Sequence, residues 1–316
     1  LVVADILKEH LYPMTLLKNK LSIILLALFT ACGSKENKNV PQQDLSIGII
    51  ADCQYCYCES SPSRFYKNSP HKLRQAVVAL NKEELDYAIH LGDFIDRDFS
   101  SFDTVLPIWN TLKTKKYHVL GNHDFSVADS LKSKVMNKMN LAQRYYSLVE
   151  NNWRFIVLDG NDLSYHGAIS PKKIAQTDSL FTLLSKAELP NLQTWNGGLS
   201  HEQLLWVESE LKLATENNEN VGFYCHFPVL GEDKVHRLWN STQLVSLIDK
   251  YPNVKFYFNG HNHNGDYMER NGVHYLTFKG MVETDSTSAF STVEFKKDSI
   301  FVHGHGREQS RRLKIK

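Results

Sequence analysis

Neither sign of charge prevails in this chain. Its 316 residues carry 36 Lys and Arg against 35 Asp and Glu, a formal net charge of +1. There is no basic surplus with which to hold a nucleic acid irrespective of sequence, so no nucleic-acid partner is expected. The chain has no internal repeat, which excludes a stacked-repeat architecture, and no glycine-rich tract. It also lacks an apolar run long enough to cross a bilayer, which takes about twenty residues; the mostly apolar stretch 21–31 is too short. Cysteine is scarce, at 5. Length and composition fit one large α/β unit with a sizeable core.

What is present is a series of short apolar runs, each followed by a polar motif. The runs 46–50, 87–91, 117–120, 221–224 and 254–258 are β-branched or aromatic, as strands buried in a sheet are. After them come Ala51-Asp52-Cys53-Gln54, Gly92-Asp93-Phe94-Ile95-Asp96, Gly121-Asn122-His123-Asp124, His226, and Gly260-His261-Asn262-His263. In open α/β sheets ligands bind at the carboxyl ends of strands, so residues far apart in sequence converge there. Nearly every polar residue in these motifs is a candidate ligand for a divalent metal.

The residue types fit that chemistry. Two divalent cations roughly 3.5–4 Å apart polarise a phosphoryl group and stabilise both oxygens of an in-line displacement. A shared carboxylate holds such a pair best, and Asp93, directly after a strand and a glycine, is the natural bridge. Imidazole suits zinc and iron, whereas carboxylate and amide oxygen suit manganese, so the mixed set argues for a first-row ion without choosing one. Taken singly, an Asp after a strand reads as a turn or cap residue, and a buried His as a structural group. Five motifs in order, each behind a strand, do not fit that reading. His303 and His305 repeat the His-x-His spacing with no carboxylate or cysteine close by, and read as surface or pocket-rim residues. His71, His90, His118, His166, His201, His236 and His274 read as ordinary.

The pattern resembles the calcineurin-like metallophosphoesterases, whose signature runs Asp-x-His, Gly-Asp-x-x-Asp, Gly-Asn-His-Asp/Glu, a lone His and Gly-His-x-His. Gln54 stands where most of that superfamily has histidine. That departure makes the chain similar to the manganese-dependent ADP-ribose/CDP-alcohol diphosphatases. The same likeness is carried by Arg64-Phe65-Tyr66 with Asn68-Ser69, by Asn196-Gly197-Gly198-Leu199-Ser200 with Glu202-Gln203-Leu204, and by His226-Phe227-Pro228 and Trp239-Asn240. It extends through Gly280-Met281-Val282-Glu283-Thr284 to Gly304-His305-Gly306-Arg307.

The resemblance implies a four-layer α/β/β/α sandwich of two mixed β-sheets flanked by helices. It implies that Asp52, Gln54, Asp93 and His263 hold one metal, and Asp93, Asn122, His226 and His261 the other. The cofactor would be two divalent ions, manganese first, with zinc or iron as alternatives; the harder amide oxygen of Gln54 favours manganese. His123 stays unliganded in this scheme and faces the substrate as a stabiliser or general acid, with Asp96 orienting it. The implied activity is cleavage of the pyrophosphate of nucleotide-linked small molecules, of ADP-ribose or CDP-alcohol type, by hydroxide held between the ions. Phosphodiester or phosphomonoester hydrolysis is the alternative, because fold and metals do not fix substrate. A non-catalytic metal-binding protein is disfavoured, having no chemical use for His123 and Asp96.

Residues 1–31 read as upstream residues followed by a lipoprotein-type signal peptide starting at Met14. A basic start, a short apolar run and small residues before a cut site are its parts. Phe29-Thr30-Ala31-Cys32 resembles a bacterial lipobox, which makes Cys32 a lipidation site and places the protein in the bacterial cell envelope, exported and lipid-anchored. Residues 32–44 form a polar linker. Residues 45–316 form the catalytic domain, ending in a basic tail, 307–316, expected to be solvated. Cys53 and Cys225 each neighbour a ligand in an extended segment and should point away into packing. The cluster Cys53, Cys56 and Cys58 leaves a disulfide or a soft metal open.

Helical patterns cover 71–81, 102–111, 171–184, 200–214 and 241–250. Strand-like pairs cover 144–148 with 155–158, and later 273–278, 289–295 and 300–302. Helices alternating with strands, then hairpin-like strands, point to two packed mixed sheets with helices outside.

Overall fold

The computed structural model describes residues 44–315, which fall in one compact unit, Gln42–Lys316. The expected signal peptide, Cys32 and nearly all of the expected linker lie outside the described residues. The chain runs β1 (Leu45–Ile50), α1 (Ser69–Leu80), β2 (Tyr87–His90), α2 (Phe102–Trp109), β3 (Lys115–His118), β4 (Tyr146–Glu150), β5 (Trp153–Val157), β6 (Leu163–Ser164) and α3 (Pro171–Ser185). It continues with β7 (Gly197–Gly198), α4 (His201–Glu216), β8 (Asn220–Tyr224), α5 (Ser241–Ile248), β9 (Val254–Asn259), β10 (Asp266–Arg270), β11 (Val273–Thr277), β12 (Ala289–Phe295), β13 (Ser299–Gly306) and β14 (Arg311–Lys314).

Two six-stranded sheets result, ordered β14-β13-β12-β1-β2-β3 and β10-β11-β9-β8-β5-β4, with β6 and β7 as a separate ribbon. In the first sheet β1, β2 and β3 are parallel; in the second, β5, β8, β9 and β11 are parallel. The remaining pairs are antiparallel, so both sheets are mixed.

The period of two in each central strand sorts its side chains into layers. Ile47 and Ile49 of β1 face the second sheet, while Ile50 packs with α1 and α2. Phe256 and Phe258 of β9 face the first sheet, while Tyr257 packs with α4 and α5. Helix α1 contributes Leu73, Ala76, Val77 and Leu80, the spacing of one helical face. Helix α4 contributes Val207, Leu211 and Ala214 in the same way. Each large side chain fully buried in these layers is worth about 1.5–3 kcal/mol. Between the sheets Tyr87 and Tyr224, one from each, join their hydroxyls at 2.9 Å, which satisfies both where no water reaches. The fold is thus the expected four-layer sandwich.

The four edge strands of the two sheets depart from expectation, as does the β6–β7 ribbon, whose two-residue strands carry no apolar run. Strand β10 was not foreseen. The basic segment read as a solvated tail contains β14, which pairs with β13 and buries Leu313; Arg311 and Arg312 belong to a sheet edge. β3 and β4 each lie two residues from the expected 117–120 and 144–148. Among the cysteines, Cys56 and Cys58 form a disulfide, with Cα atoms 5.2 Å apart. Cys53 and Cys225 are free and buried, as expected.

Candidate metal centre

Strands β1, β2 and β3 of one sheet and β8 and β9 of the other end at a common edge, and each loop leaving that edge carries one of the motifs. The loops after β1 and β2 stay paired beyond the sheet, with Asp52 N donating to Gly92 O at 3.2 Å and Gln54 N to Asp93 O at 2.7 Å. The segment after β11 closes on the same place, Met281 N donating to Ala51 O and Val282 N to Asp52 O, both at 2.9 Å. The turns are sharp. Asp52, Gln54, Asp93 and His261 all occupy the left-handed region, with φ of 51°, 46°, 55° and 69°. A non-glycine residue there costs of order 1–3 kcal/mol and persists only where its surroundings enforce it. Two glycines make the close approach possible: a Cβ on Gly121 would lie 2.1 Å from Asp93 Oδ1, and one on Gly92 2.5 Å from His226 Nδ1.

Four donor atoms converge. His226 Nε2 lies 3.2 Å from Asp93 Oδ2, 3.1 Å from Asn122 Oδ1 and 3.1 Å from His261 Nδ1. Such separations fit ligands around one first-row ion at about 2.0–2.2 Å. Asp93, His226 and His261 are buried together as a group able to hold a metal. These are the residues expected for one of the two ions. For the other, His263 Nε2 lies 3.5 Å from Asp52 Oδ1. Gln54 sits two residues along, fully buried, with neither amide atom hydrogen-bonded.

A buried polar group left without a partner costs about 1–3 kcal/mol, so Gln54 is the strongest sign that these residues suit a cation. The histidines give a second sign, because each has its other nitrogen committed. His226 Nδ1 donates to Leu91 O at 2.9 Å, His261 Nε2 to Asn196 Oδ1 at 2.8 Å, and His263 Nδ1 to Glu283 Oε1 at 2.7 Å. Outer partners of this kind fix the tautomer and leave one lone pair per ring for a metal.

The electrostatics agree. Burial works to raise Asp93, but the surrounding imidazoles, His226 first, hold it well below the usual carboxylate range. Burial works against a proton on His226, yet Asp93 and Asp52 lift it to about 9. His263 is likewise raised, Asp52 outweighing burial. His261 is pushed well below the usual range by burial and the His226 charge. The buried carboxylates thus favour positive charge beside them, which a cation would supply.

His123 stands beside this group. Its backbone N–H donates to Asp93 Oδ1 at 2.7 Å, which leaves Asp93 Oδ2 turned to His226. Its ring Nδ1 meets Asp96 Oδ1 at 2.6 Å, and Arg97 grips Asp96 Oδ2 through Nε at 3.1 Å and Nη2 at 2.6 Å. Burial would raise Asp96, but His123 and Arg97 outweigh it and keep the carboxyl below its ordinary range. With Nδ1 committed, Nε2 of His123 is the nitrogen left for a substrate.

Sequence reasoning missed the supporting residues. Asn196 and Glu283 stand in segments that carried the family likeness, yet nothing local marks them as partners of histidines 65 and 20 residues away. Asp124 accepts backbone N–H groups from Phe94 at 2.8 Å, Ile95 at 3.2 Å and Gly121 at 2.9 Å, and so ties the β2 and β3 loops together. Of the two histidines read as surface or pocket-rim residues, His303 is exposed near Glu294 and His305 stacks on Phe290.

Comparison with known proteins fits this geometry. A model of the calcineurin-like phosphoesterases matches residues 45–265. The chain is 31% identical over 330 residues to the manganese-dependent ADP-ribose/CDP-alcohol diphosphatase of Xenopus tropicalis, covering 88% of this chain and 96% of that protein. It is 31% identical over 318 residues to the protein of the same name from Mus musculus, covering 86% and 93%. Among solved structures, a dimetal phosphatase from Danio rerio superposes with a TM-score of 0.78 at 26% identity, covering 86% of this chain and 99% of that one. With sheets, motif order and full-length likeness in agreement, the chain belongs to the calcineurin-like phosphoesterase family and is a metal-dependent hydrolase.

Proposed function

We propose that this protein hydrolyses the pyrophosphate bond of nucleotide-linked small molecules of ADP-ribose or CDP-alcohol type, with two divalent ions, manganese foremost. The observation that carries the reading is the unpaired, buried amide of Gln54 beside Asp52, in a chain that matches the manganese-dependent relatives over nearly their whole length. Asp52, Gln54, Asp93 and His263 would hold one ion, and Asp93, Asn122, His226 and His261 the other. Zinc and iron are the alternatives that the imidazole donors admit. Bound there, the ions would polarise the phosphoryl group and supply a nucleophile near neutral pH.

The chain's own residues do the rest. Leu91 O, Asn196 and Glu283 keep the three imidazoles in the tautomers that ligation needs. Arg97 holds Asp96, Asp96 holds the His123 ring, and His123 Nε2 stabilises or protonates the phosphate that departs as one P–O bond of the anhydride breaks and water's oxygen completes the other product. Both products are phosphomonoesters. Turnover of ADP-ribose, CDP-glycerol, a cyclic nucleotide, a chromogenic diester and a phosphomonoester with manganese tests the reading. Preference for the two diphosphates is expected; preference for a diester or monoester would replace it with the broader phosphoesterase activity.

The same reading includes a lipid anchor at Cys32 and a place in the cell envelope. The Cys56–Cys58 disulfide supports it, because disulfides persist in oxidising compartments. Incorporation of labelled palmitate into the full chain, lost in Cys32→Ala, tests it.

A further inference from the structure

The three histidines of the centre are supported unequally. His226 leans on a backbone carbonyl and His261 on the Asn196 amide, both neutral, whereas His263 leans on the Glu283 carboxylate. The Asn196 amide is itself anchored, donating to Asn191 O at 2.9 Å and Val235 O at 2.7 Å. Its oxygen is therefore fixed as the acceptor.

Glu283 is held with equal care from its backbone. Lys72, buried under the segment, donates through Nζ to Val282 O at 3.0 Å, Glu283 O at 3.1 Å and Thr284 O at 2.9 Å. Phe65 N donates to Val282 O at 3.0 Å, and Thr284 N to Ser63 O at 3.1 Å. Val282 N also binds Asp52 O, so one short segment is tied to Asp52 by its backbone and to His263 by its side chain. The Arg64 guanidinium stands 3.8 Å from Glu283 Oε1, farther than the imidazole at 2.7 Å. The imidazole is the tighter partner.

We infer that Glu283 is a positioning residue that makes the two ion positions unequal, orienting His263 and strengthening its Nε2 as a donor for the ion shared with Asp52 and Gln54. A carboxylate accepting the far N–H of an imidazole raises the basicity of the ligating nitrogen, and losing such a partner typically costs 10–100-fold in metal affinity. The inference rests on the two-ion reading above. Neutral supports at His226 and His261 give the other position no such gain.

Calorimetric titration with manganese chloride separates the two ideas. The wild-type protein should take up two ions with distinct affinities, and Glu283→Gln, which keeps the shape and an acceptor but removes the charge, should weaken one position by about 10–100-fold. The other position should keep its affinity, and Glu283→Ala should weaken the same one at least as much. Two unchanged affinities, or two that fall together, would overturn the inference and leave the two-ion reading standing. A wild-type protein that binds fewer than two ions would defeat that reading, and the inference with it. A measurement on the wild type needs no folded variant: with zinc bound, nitrogen-15 spectra should show His263 protonated at Nδ1 and ligated through Nε2. Ligation through Nδ1 would overturn the assignment.

Discussion

In the histidine half of the centre, Asn122, His226 and His261 bring their donor atoms together at 3.1 Å, on neutral supports. In the aspartate half, Asp52 and His263 stand 3.5 Å apart, the Gln54 amide has no partner, and the support behind His263 is charged. In the proposed arrangement Asp93 serves both. One half is closed by geometry and admits little choice in how an ion sits. The other is more widely spaced and richer in charge and oxygen, so in the proposed arrangement it would have more influence over which ion is preferred.

The residue that joins the halves should have the largest effect when removed. Asp93 Oδ2 faces His226, and Asp93 Oδ1 holds the backbone of His123, so Asp93→Ala disturbs both positions and the acid beside them. Both ions should be lost together and activity should fall to the level of the metal-free protein. Elemental analysis that finds one ion retained at full occupancy would show that the halves are independent and that Asp93 is no bridge.

His123 lies outside both halves, so its removal should separate chemistry from metal binding. His123→Ala should keep two ions and lower kcat by about 10²–10⁴-fold, the usual worth of a positioned acid or charge stabiliser. Asp96→Asn should follow in the same direction with a smaller loss, since it removes the charge that orients the ring. Unchanged turnover in a metal-replete His123→Ala protein would sink the role.

Protons should compete with the ions. Before a metal binds, Asp93 and Asp52 raise His226 to about 9, so near neutral pH a proton on His226 must leave as the ion enters. His226 is raised, so the proton is bound below that value and lost above it, and metal affinity must therefore fall as pH falls. Each displaced proton makes the apparent affinity change by about tenfold per pH unit below the raised value of its imidazole and flattens it above, and His263, also raised, adds its own proton to that of His226. Proton release on adding manganese in weak buffer checks the count, and an affinity flat from pH 7 to 9 would contradict it.

The pattern of what sequence disclosed follows from the same contrast between inside and edge. β1, β5, β8 and β9 are buried on both faces, so their apolar runs announced them. β3, β4, β10 and β14 are edges, where Lys115, Lys116, Arg270, Arg311 and Arg312 help to discourage pairing with another chain and erase the apolar signal. The candidate ligands were legible because each sits within a few residues of a strand end. Their supports were not: Glu283 reaches His263 and Asn196 reaches His261 only through the packing of loops from different strands. Nor does sequence reveal that Asp52, Gln54, Asp93 and His261 hold left-handed backbone, which no residue type among them demands.

The smallest expected effect is the one that bears most directly on the aspartate half. Gln54→His exchanges one neutral donor for another, so the charge of the centre is unchanged, and histidine is among the residues that tolerate the left-handed backbone at this position. The protein should fold and remain active. What should change is preference, because imidazole suits softer ions than an amide oxygen does. Relative to wild type, activity with zinc or cobalt should gain on activity with manganese by roughly tenfold, the lower end of what changes around a metal ligand produce. The ratio of diphosphate to diester hydrolysis should move as well, since the ring alters the space beside the attacked phosphorus. Purified wild type and Gln54→His, assayed across manganese, zinc and cobalt with ADP-ribose, CDP-glycerol, a cyclic nucleotide and a diester, give the answer. Identical profiles would mean that Gln54 marks descent without setting specificity, and the aspartate half would owe any preference to Asp52 and to the Glu283 charge behind His263.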